Sequence, residues 1–461
     1  MSVLPTPSGE ADLQVETLII GAGCAGLVAA LAAHETGQDV LVLERDAVPS
    51  GSTALSAGLI PAAGTAQQKA VGITDTPEAF AVDITKKADG EPDPELVKTL
   101  TEGSAEVIAW LTDTHSLPFT LVDDFDYPGH SHRRMHGLPS RSGDALINAL
   151  REACEANDIL IAAERTVRTL YAKAETVTGV RATLPDGSEE HIACERLILA
   201  CNGFGGNTEM VRDLTPAIAD ALYFGHEGNQ GDAIRWGQAL GAQMADLGSY
   251  QGHGNVAHPH GILITWAVIT QGGFQVNANG ARFWNESQGY SEAARHVLEQ
   301  PGGVAYAIFD ARIAAIARQF KDFQDAEAQG AVKKADTVEA LAETLNLDSE
   351  TLQASFDSAS GIDTFGRTFD PSLALAPPYC AVKVTGALFH TQGGLKVDGN
   401  SRVLRKDGRP LPNLFATGGA AGGVSGSADS GYLSGNGLLS AAVLGHRAGH
   451  FKLTIGEHAH A

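Results

Sequence analysis

The chain has 461 residues and is strongly acidic: 32 Lys and Arg stand against 55 Asp and Glu, for a formal net charge of −23. This charge repels phosphate backbones and anionic lipid headgroups, so we expect neither nucleic acid nor membrane as a partner. The five cysteines are odd in number and contain no C-x-x-C pair, which argues against a disulfide framework and a metal site. Because no Lys or Arg precedes Arg45, we expect no secretion signal and a cytoplasmic location.

The first motif is a glycine-rich turn between an apolar strand and an Ala-rich helix. Residues 21–26 read Gly-Ala-Gly-Cys-Ala-Gly, and the next apolar run ends at Glu44. Gly21 permits the turn, Gly23 lets a pyrophosphate approach the helix N-terminus, and Gly26 lets the helix pack on the sheet. Glu44 is then placed to accept hydrogen bonds from an adenosine ribose. The pattern predicts a dinucleotide cofactor.

Later segments favour FAD over a nicotinamide cofactor. Residues 50–58 supply hydroxyls and small side chains where a flavin ribityl and ring could lie. Two further apolar strands run into glycines, at 196–207 and 413–419, and Gly231-Asp232 comes between them. Three glycine-ended strands spread along the chain suit a long cofactor laid across one domain.

The chain resembles the flavoprotein family of fumarate reductase, succinate dehydrogenase and 3-ketosteroid Δ1-dehydrogenase. Besides the opening turn, the matching segments are 199–207, 276–286, 390–395, 414–423 and 435–439. The resemblance implies an α/β fold, in which a Rossmann-like FAD-binding domain of the fumarate reductase type (1–245 and 372–461) carries an inserted α+β capping domain (246–371).

The resemblance and the glycine turn together assign the cofactor site. In succinate dehydrogenases a histidine beside the Ser-Thr segment carries covalent FAD; Ser52 matches that place, so non-covalent FAD is expected. Backbone at Val167 would meet the adenine, the first turn of the last helix would face the flavin pyrimidine, and Gly419 replaces a glutamate common in the family. The expected cofactor residues are Gly21, Gly23, Ala25, Gly26, Glu44, Arg45, Ser52, Thr53, Ser56, Ala57, Gly58, Val167, Cys201, Asn202, Gly203, Asp232, Gly418, Gly419, Gly437, Leu438 and Leu439.

The family oxidises or reduces a carbon–carbon bond beside an electron-withdrawing group, and its branches differ in the groups around the substrate. Fumarate reductases place arginines around a dicarboxylate. Their Glu-Ala-Val-Arg stretch aligns on Trp266 to Ile269, and their C-terminal substrate arginine aligns on Tyr432. A dianionic substrate therefore loses a principal clamp in this chain.

Two tyrosines match the ketosteroid dehydrogenase branch instead. Tyr290 follows Asn285-Glu286 by four residues, and Tyr432 stands at the second tyrosine position. The resemblance implies that Tyr432 and the backbone N–H at Asn436, a glycine in that branch, hold a ketone oxygen, while Tyr290 takes the α-proton. The alternative for each tyrosine is a half-buried ring whose hydroxyl is bonded to backbone.

Several basic side chains are further candidates for substrate contacts. His390 matches the substrate-contacting histidine of fumarate reductases, with a strand histidine bonded to backbone as the alternative. Either His253 or His258 can occupy the place of a family histidine that faces substrate. Arg133 and Arg134 could bind a carboxylate, or pair with the nearby acidic residues Asp123, Asp124 and Asp126.

The leading hypothesis is an FAD-dependent enzyme of the CH–CH class that desaturates a carbonyl compound, a cyclic ketone or an oxo acid. One alternative is a fumarate-reductase-like enzyme acting on unsaturated carboxylic acids, and another is a flavin-binding subunit that has lost catalysis. The chain contains no haem-binding C-x-x-C-H motif, so electrons are expected to pass to an external acceptor. The oligomeric state stays open.

Overall fold

The computed structural model describes residues 2–123, 126–427 and 431–453. Asp124, proposed above as a partner for the arginines, and Ser430, beside Tyr432, lie outside these ranges. Over the described residues, no helix combines the length and the apolar run that a bilayer crossing requires.

The chain divides into two compact units. The first unit consists of Met1–Leu214, Gly225–Tyr250 and His390–Ala461, and the second of Thr215–Phe224 and Gln251–Phe389. The domain limits predicted at residues 245 and 371 remain predictions, since compactness alone does not define what folds independently.

The first unit is built on a mixed sheet, with parallel pairing at its centre. The strand Glu189–Leu199 pairs in parallel with Leu13–Ile20 on one side and Pro410–Ala416 on the other, and Leu13–Ile20 pairs in parallel with Val40–Leu43. The carboxyl ends of parallel strands meet at one edge, where open α/β sheets bind ligands. The remaining strands of this sheet are Ser2–Pro5, Leu160–Ala162, Thr166–Lys173, Thr176–Thr183 and Arg402–Leu404.

Two helices place their N-termini near that edge. The first helix, Cys24–Glu35, is buried continuously from Cys24 to Ala33, which is why its sequence is apolar all round. In the C-terminal helix, Asn436–His450, a Cβ on Gly445 would lie 2.7 Å from the Ala25 carbonyl oxygen, and Gly449 faces Ala29 in the same way. The two helices therefore run in the same direction, and the C-terminal helix begins roughly 13 Å before the point where it meets the first helix.

The other elements of the first unit are short strands and helices around this core. The strands are Ile60–Pro61, Thr120–Leu121, Met135–Gly137, Met244–Ala245 and Gly394–Leu395. The helices are Gly51–Ala54, Ala66–Ala70, Pro77–Lys87, Pro94–Asp113, Gly143–Ala156, Thr208–Leu214, Asp232–Ala239 and the 3₁₀ turn Gly418–Ala420.

The second unit has its own sheet, in which the long strand Tyr379–Thr391 pairs with Val304–Asp310, Val332–Ala335 and Leu222–Tyr223. The same sheet contains Tyr250–Ala257, Ile262–Leu263 and Phe274–Val276, and Gly361–Ile362 pairs separately with Thr368–Phe369. Helices on this sheet are Ala267–Thr270, Tyr290–Leu298, Ala311–Ala317, Lys321–Ala328, Val338–Leu345 and Ser349–Ser358, with 3₁₀ turns at Pro216–Ile218, Glu286–Gln288, Pro301–Gly303 and Pro371–Leu373.

Candidate active site

The glycine turn joins the strand Leu13–Ile20 to the first helix. A Cβ on Gly26 would lie 1.9 Å from the Gly21 carbonyl oxygen, so the close approach of strand and helix requires glycine there. A Cβ on Gly23 would meet only the Thr53 hydroxyl, at 3.6 Å. The protein itself does not require a glycine at Gly23, and the backbone there is open at the N-terminus of a helix, where a pyrophosphate binds.

Glu44 is held beside this turn. Its two carboxylate oxygens accept backbone N–H groups from Ala22 at 2.8 Å and Asp46 at 2.9 Å, and each oxygen keeps a lone pair for a ligand. The neighbouring Arg45 side chain contacts Asp46 at 3.2 Å and His226 at 3.3 Å. The predicted ribose acceptor therefore has a fixed position next to the expected pyrophosphate.

The Ser-Thr segment and the glycine loop after the central strand come together. Asn202 and Asn229 both donate side-chain amide hydrogens to Ser52 Oγ, at 3.1 and 2.9 Å. Asn202 has a φ of +62°, and its Oδ1 accepts the backbone N–H of Gly203 at 2.8 Å. A Cβ on Gly419 would lie 2.0 Å from that Oδ1. The glutamate that the family often has at position 419 would therefore clash with Asn202. Motif spacing does not reveal this contact, because the two residues are far apart in sequence.

The remaining expected cofactor residues lie in the same unit. Ser56 Oγ donates to the Thr53 carbonyl at 2.7 Å and accepts the Gly58 N–H at 3.0 Å. Ala57, between Ser56 and Gly58, is exposed, and Thr53 Oγ1 accepts the Cys24 N–H.

Cys201 and Asp232 are neighbours in the same unit. Burial, with Asp232 as a smaller cause, raises the pKa of the Cys201 thiol to about 12. Asp232 begins a helix, and its buried Oδ1 has no hydrogen-bond partner in the structure. Val167 is a buried strand residue, Gly418 opens a 3₁₀ turn, and Ala25, Leu438 and Leu439 lie in first helical turns.

Tyr432 lies just before the C-terminal helix. Burial raises the pKa of its phenol to about 12, while hydrogen bonds from the backbone N–H groups of Gly437 and Gly435 act in the opposite direction. The Asn436 N–H, expected to bind a ketone oxygen, is instead donated to the Leu433 carbonyl at 3.1 Å. The left-handed Gly435 (φ +85°) starts the helix so that other N–H groups reach the phenol.

The side chain of Asn436 and the Ser440 hydroxyl, one helical turn further along, are unsatisfied. Asn436 is fully buried, and among the described residues neither its Oδ1 nor its Nδ2 has a hydrogen-bond partner; the same holds for Ser440 Oγ. Residues four apart share one face of a helix. Buried polar groups without partners are costly, so this face is suited to a polar ligand such as the edge of a flavin ring. Ser440 was missed by the sequence analysis because a single serine in a helix carries no motif.

His390 packs against Tyr432, with ring centroids 5.5 Å apart and the planes at 79°. Burial lowers the pKa of His390 to about 4, so its imidazole is neutral at ordinary pH. A Cβ on Gly437 would lie 3.2 Å from His390 Nε2, which explains the glycine in the first turn of the helix. The phenol, the imidazole and the helix start therefore form one cluster in the first unit.

Tyr290, in the second unit, is the first residue of its helix and belongs to a stack of rings. Its ring stacks on His253 at 4.9 Å, His253 stacks on Phe389 at 5.3 Å, and Phe389 stacks on Phe224 at 4.9 Å. Trp266 meets His253 edge-on at 5.9 Å. Because Phe224 and Phe389 are distant in sequence and lie outside any motif, the sequence analysis missed them.

The structure separates the two histidines that the sequence left as alternatives. His253 is buried, which lowers its pKa to about 3, and its Nδ1 accepts the Asn255 N–H at 3.2 Å. His258 is exposed. Among the described residues, no three His, Cys, Asp or Glu side chains are grouped so that they could hold a metal ion.

The arginines proposed for carboxylate binding are engaged within the protein. Arg134 is buried and binds Asp75 in a bidentate pair, with Nε–Oδ2 at 2.7 Å and Nη2–Oδ1 at 2.8 Å, and it also contacts Asp83. Arg133 pairs with Asp126 at 2.8 Å. A guanidinium already bound to two carboxylates is a structural group, so Arg134 is left out of the site proposed below.

These features agree with known proteins. Residues 16–438 match the FAD binding domain family. A probable fumarate reductase of Shewanella frigidimarina is 32% identical over 445 residues, which are 94% of this chain and 74% of that protein. The structure of a flavocytochrome c3 fumarate reductase in its open conformation matches with a TM-score of 0.81 at 31% identity, over 95% of this chain and 78% of that one.

A third similar protein is 3-ketosteroid-Δ4-(5α)-dehydrogenase of Rhodococcus jostii, solved with 4-androstene-3,17-dione, at a TM-score of 0.76 and 26% identity. The match covers 96% of this chain and 97% of that chain. The chain belongs to the FAD-binding domain family and is a flavoenzyme of the CH–CH oxidoreductase class. The predicted family, fold class, cofactor and enzyme class are confirmed, while the individual site residues stay predictions.

The residues present fit FAD. Gly23 leaves room for the pyrophosphate and Glu44 is fixed beside it. The unpartnered groups of Asn436 and Ser440, at the start of the C-terminal helix, would be satisfied by the polar edge of a flavin. Non-covalent attachment remains a prediction that rests on Ser52, whose hydroxyl accepts two amide hydrogen bonds.

Proposed function

We propose that the protein is an FAD-dependent dehydrogenase that desaturates a cyclic ketone or an oxo acid next to its carbonyl group. The observation that carries this proposal is the cluster around Tyr432, where a buried phenol, two backbone N–H groups and the neutral His390 lie together. Uncharged hydrogen-bond donors suit a carbonyl oxygen better than a dicarboxylate, which arginines bind. FAD, when bound, supplies the acceptor for the hydride that leaves the β-carbon.

In this proposal Tyr432 holds the carbonyl oxygen. Backbone N–H bonds that the phenol oxygen accepts polarise its O–H and make it a stronger donor. Donation to the carbonyl oxygen stabilises the negative charge that develops there when the α-proton is lost. The Gly437 N–H acts in this proposal on the phenol oxygen, and the Asn436 N–H, donated to the Leu433 carbonyl, has no direct role.

Tyr290 is proposed to take the α-proton. It is the first residue of the nine-residue helix Tyr290–Leu298, where the helix dipole favours negative charge and helps a phenol to ionise. Glu286, just before it, is anchored by Arg282 at 2.6 Å and Arg367 at 3.0 Å, which fixes the start of this helix. The stacked His253 gives Tyr290 a rigid, uncharged neighbour.

The second candidate function is reduction of an unsaturated carboxylic acid, favoured by the 32% identity to a probable fumarate reductase. It requires cationic groups for a carboxylate. The buried Arg282 and Arg367 of the second unit are paired with Glu286 and Asp363, and Arg134 is paired in the first. The desaturase therefore has the stronger support. Either reaction needs an external electron partner, and a cytoplasmic location stays a prediction.

Anaerobic absorbance spectra of the flavin separate the candidates. Oxidised enzyme should be bleached by cyclic ketones such as 4-oxocyclohexane carboxylate or a 3-ketosteroid, and Tyr432→Phe should abolish this, whereas the matched control Tyr171→Phe should not. Bleaching by no ketone, together with reoxidation of the reduced enzyme by fumarate or other enoates, would establish the second candidate. No response to either set would indicate a subunit without catalysis. Acid precipitation, which should release the flavin, tests non-covalent attachment.

A further inference from the structure

Gln392 is a buried residue two positions after His390 in the chain, and both its backbone N–H and its backbone carbonyl are hydrogen-bonded. Its N–H donates to the Ser249 carbonyl at 2.8 Å, and its carbonyl accepts the Gly423 N–H at 2.8 Å. The side chain is only 6% exposed. Its amide therefore has one environment rather than a choice of solvent-facing positions.

The amide group bridges two buried side chains. Gln392 Nε2 lies 2.9 Å from His390 Nδ1, and Gln392 Oε1 accepts the Ser425 hydroxyl at 3.0 Å. Gly423 makes room for this arrangement, because a Cβ there would lie 3.0 Å from Oε1. Gln392 lies in the matching segment 390–395, but the sequence analysis assigned it no role.

This bridge has a consequence for the proton on the imidazole. His390 Nδ1 has two neighbours: Gln392 Nε2 at 2.9 Å, which can only donate, and the Thr391 carbonyl oxygen at 3.4 Å, which can only accept. The shorter contact, to the amide nitrogen, favours Nδ1 as an acceptor without a proton. Burial keeps the ring neutral, with a pKa of about 4, and a neutral imidazole has a single proton. That proton is therefore on Nε2, the nitrogen that lies against Gly437 in the Tyr432 cluster.

We propose that Gln392 is a positioning residue that holds His390 in its Nε2–H tautomer, so that the imidazole offers a second hydrogen-bond donor beside Tyr432. The identity of the acceptor, a substrate carbonyl oxygen, rests on the proposed function. The tautomer does not, because it follows from the shorter of the two contacts that His390 Nδ1 makes. Neutral His390 then polarises the oxygen without transferring its proton.

The variant Gln392→Glu reverses the hydrogen bond. A carboxylate accepts the proton of Nδ1, which leaves Nε2 of the neutral ring bare, and it raises the pKa of His390. At pH 8 we expect kcat to fall about 100-fold, the usual cost of one lost donor at a developing oxyanion. As the pH falls toward 6, the imidazolium regains a proton on Nε2, so the ratio of variant to wild-type kcat should rise.

Two further variants complete the series. Gln392→Met removes the donor without adding charge, so both tautomers become accessible, and kcat should fall roughly threefold to tenfold with a pH-independent ratio. The exposed Gln14→Glu adds the same charge on a distant strand and should leave kcat unchanged. Equal ratios at every pH for Gln392→Glu would overturn the proposal.

Nitrogen-15 NMR of the histidine-labelled holoenzyme reads the tautomer directly, with the His390 signal assigned by comparison with His390→Asn. We expect the Nε2–H form in the wild type and the Nδ1–H form in Gln392→Glu at pH 8. A wild-type Nδ1–H form would overturn the proposal even if a ketone is desaturated. Conversely, an Nε2–H form in a protein that desaturates no ketone would reject the proposed function and keep the role of Gln392.

Discussion

The two units of the molecule hold their tyrosines in different ways. In the first unit, Tyr432 is fixed by backbone N–H groups and by the edge-on contact of its ring with His390. In the second, Tyr290 is fixed by stacked rings, and the charges near it are used to anchor its helix. Directional hydrogen bonds suit a group that must hold one atom of a substrate, whereas stacked rings fix the position of a phenol without adding a charged neighbour. The two tyrosines are therefore held by different kinds of interaction.

The variant Tyr432→Phe tests whether the phenol of the first unit is the principal donor to the carbonyl oxygen. Removing the phenolic donor should lower kcat for ketone desaturation by roughly 10³-fold, the upper end for one donor at an oxyanion. Flavin content should not change, because the ring and its packing remain. Steady-state kinetics with a dye acceptor measure the effect, and a loss of less than tenfold would remove Tyr432 from the role of principal donor.

Arg134→Ala tests whether the buried charge in the first unit serves the fold. Because Asp75 and Asp83 would be left buried without their cation, unfolding free energy should fall by about 3 kcal/mol. KM for an oxo acid relative to the matching neutral ketone should not change. Urea denaturation and paired KM measurements check both parts; a selective rise in KM for the acid would return Arg134 to the substrate site.

Two substitutions of His253 test whether the stack of rings in the second unit needs only a flat ring at this position. Phenylalanine preserves a flat ring between Tyr290 and Phe389, so kcat should stay within about threefold, whereas alanine opens a gap and should lower kcat about tenfold. Since the pKa of His253 is about 3, its titration should leave no acid limb in the rate profile above pH 5. If His253→Phe is as slow as His253→Ala, the imidazole has a polar role that stacking does not describe.

The smallest effect expected is at Ser440. Replacing its unpartnered hydroxyl in Ser440→Ala should raise the unfolding free energy of the apoprotein by up to about 1 kcal/mol, and it should weaken FAD binding severalfold. The opposite signs distinguish a cofactor contact from a packing role. Thermal melts without cofactor and fluorescence titrations with FAD provide the two numbers, and the same sign for both would contradict the assignment.

Local pattern was enough to predict a dinucleotide cofactor, whereas the architecture was predicted from the family resemblance. Gly21, Gly26 and Glu44 depend on contacts within one strand–helix–strand unit, so their spacing carried the prediction. The replacement of the family's glutamate by Gly419 and the role of Gln392 depend on contacts with Asn202 and His390, set by the packing of separate segments. The hydrogen bond of the Asn436 N–H could not be predicted from the sequence either. The left-handed φ of Gly435 determines which N–H groups at the helix start are available to a ligand.

The unpartnered side chains of Asn436 and Ser440 have a consequence for the protein inside a cell. A chain that folds before it acquires its cofactor leaves these groups unsatisfied, and binding to the folded state alone lowers the unfolded population by mass action. Chains made when vitamin B2 is scarce should therefore be degraded faster than loaded ones, because proteases act on the unfolded fraction. The steady-state amount of this enzyme would then follow the supply of riboflavin.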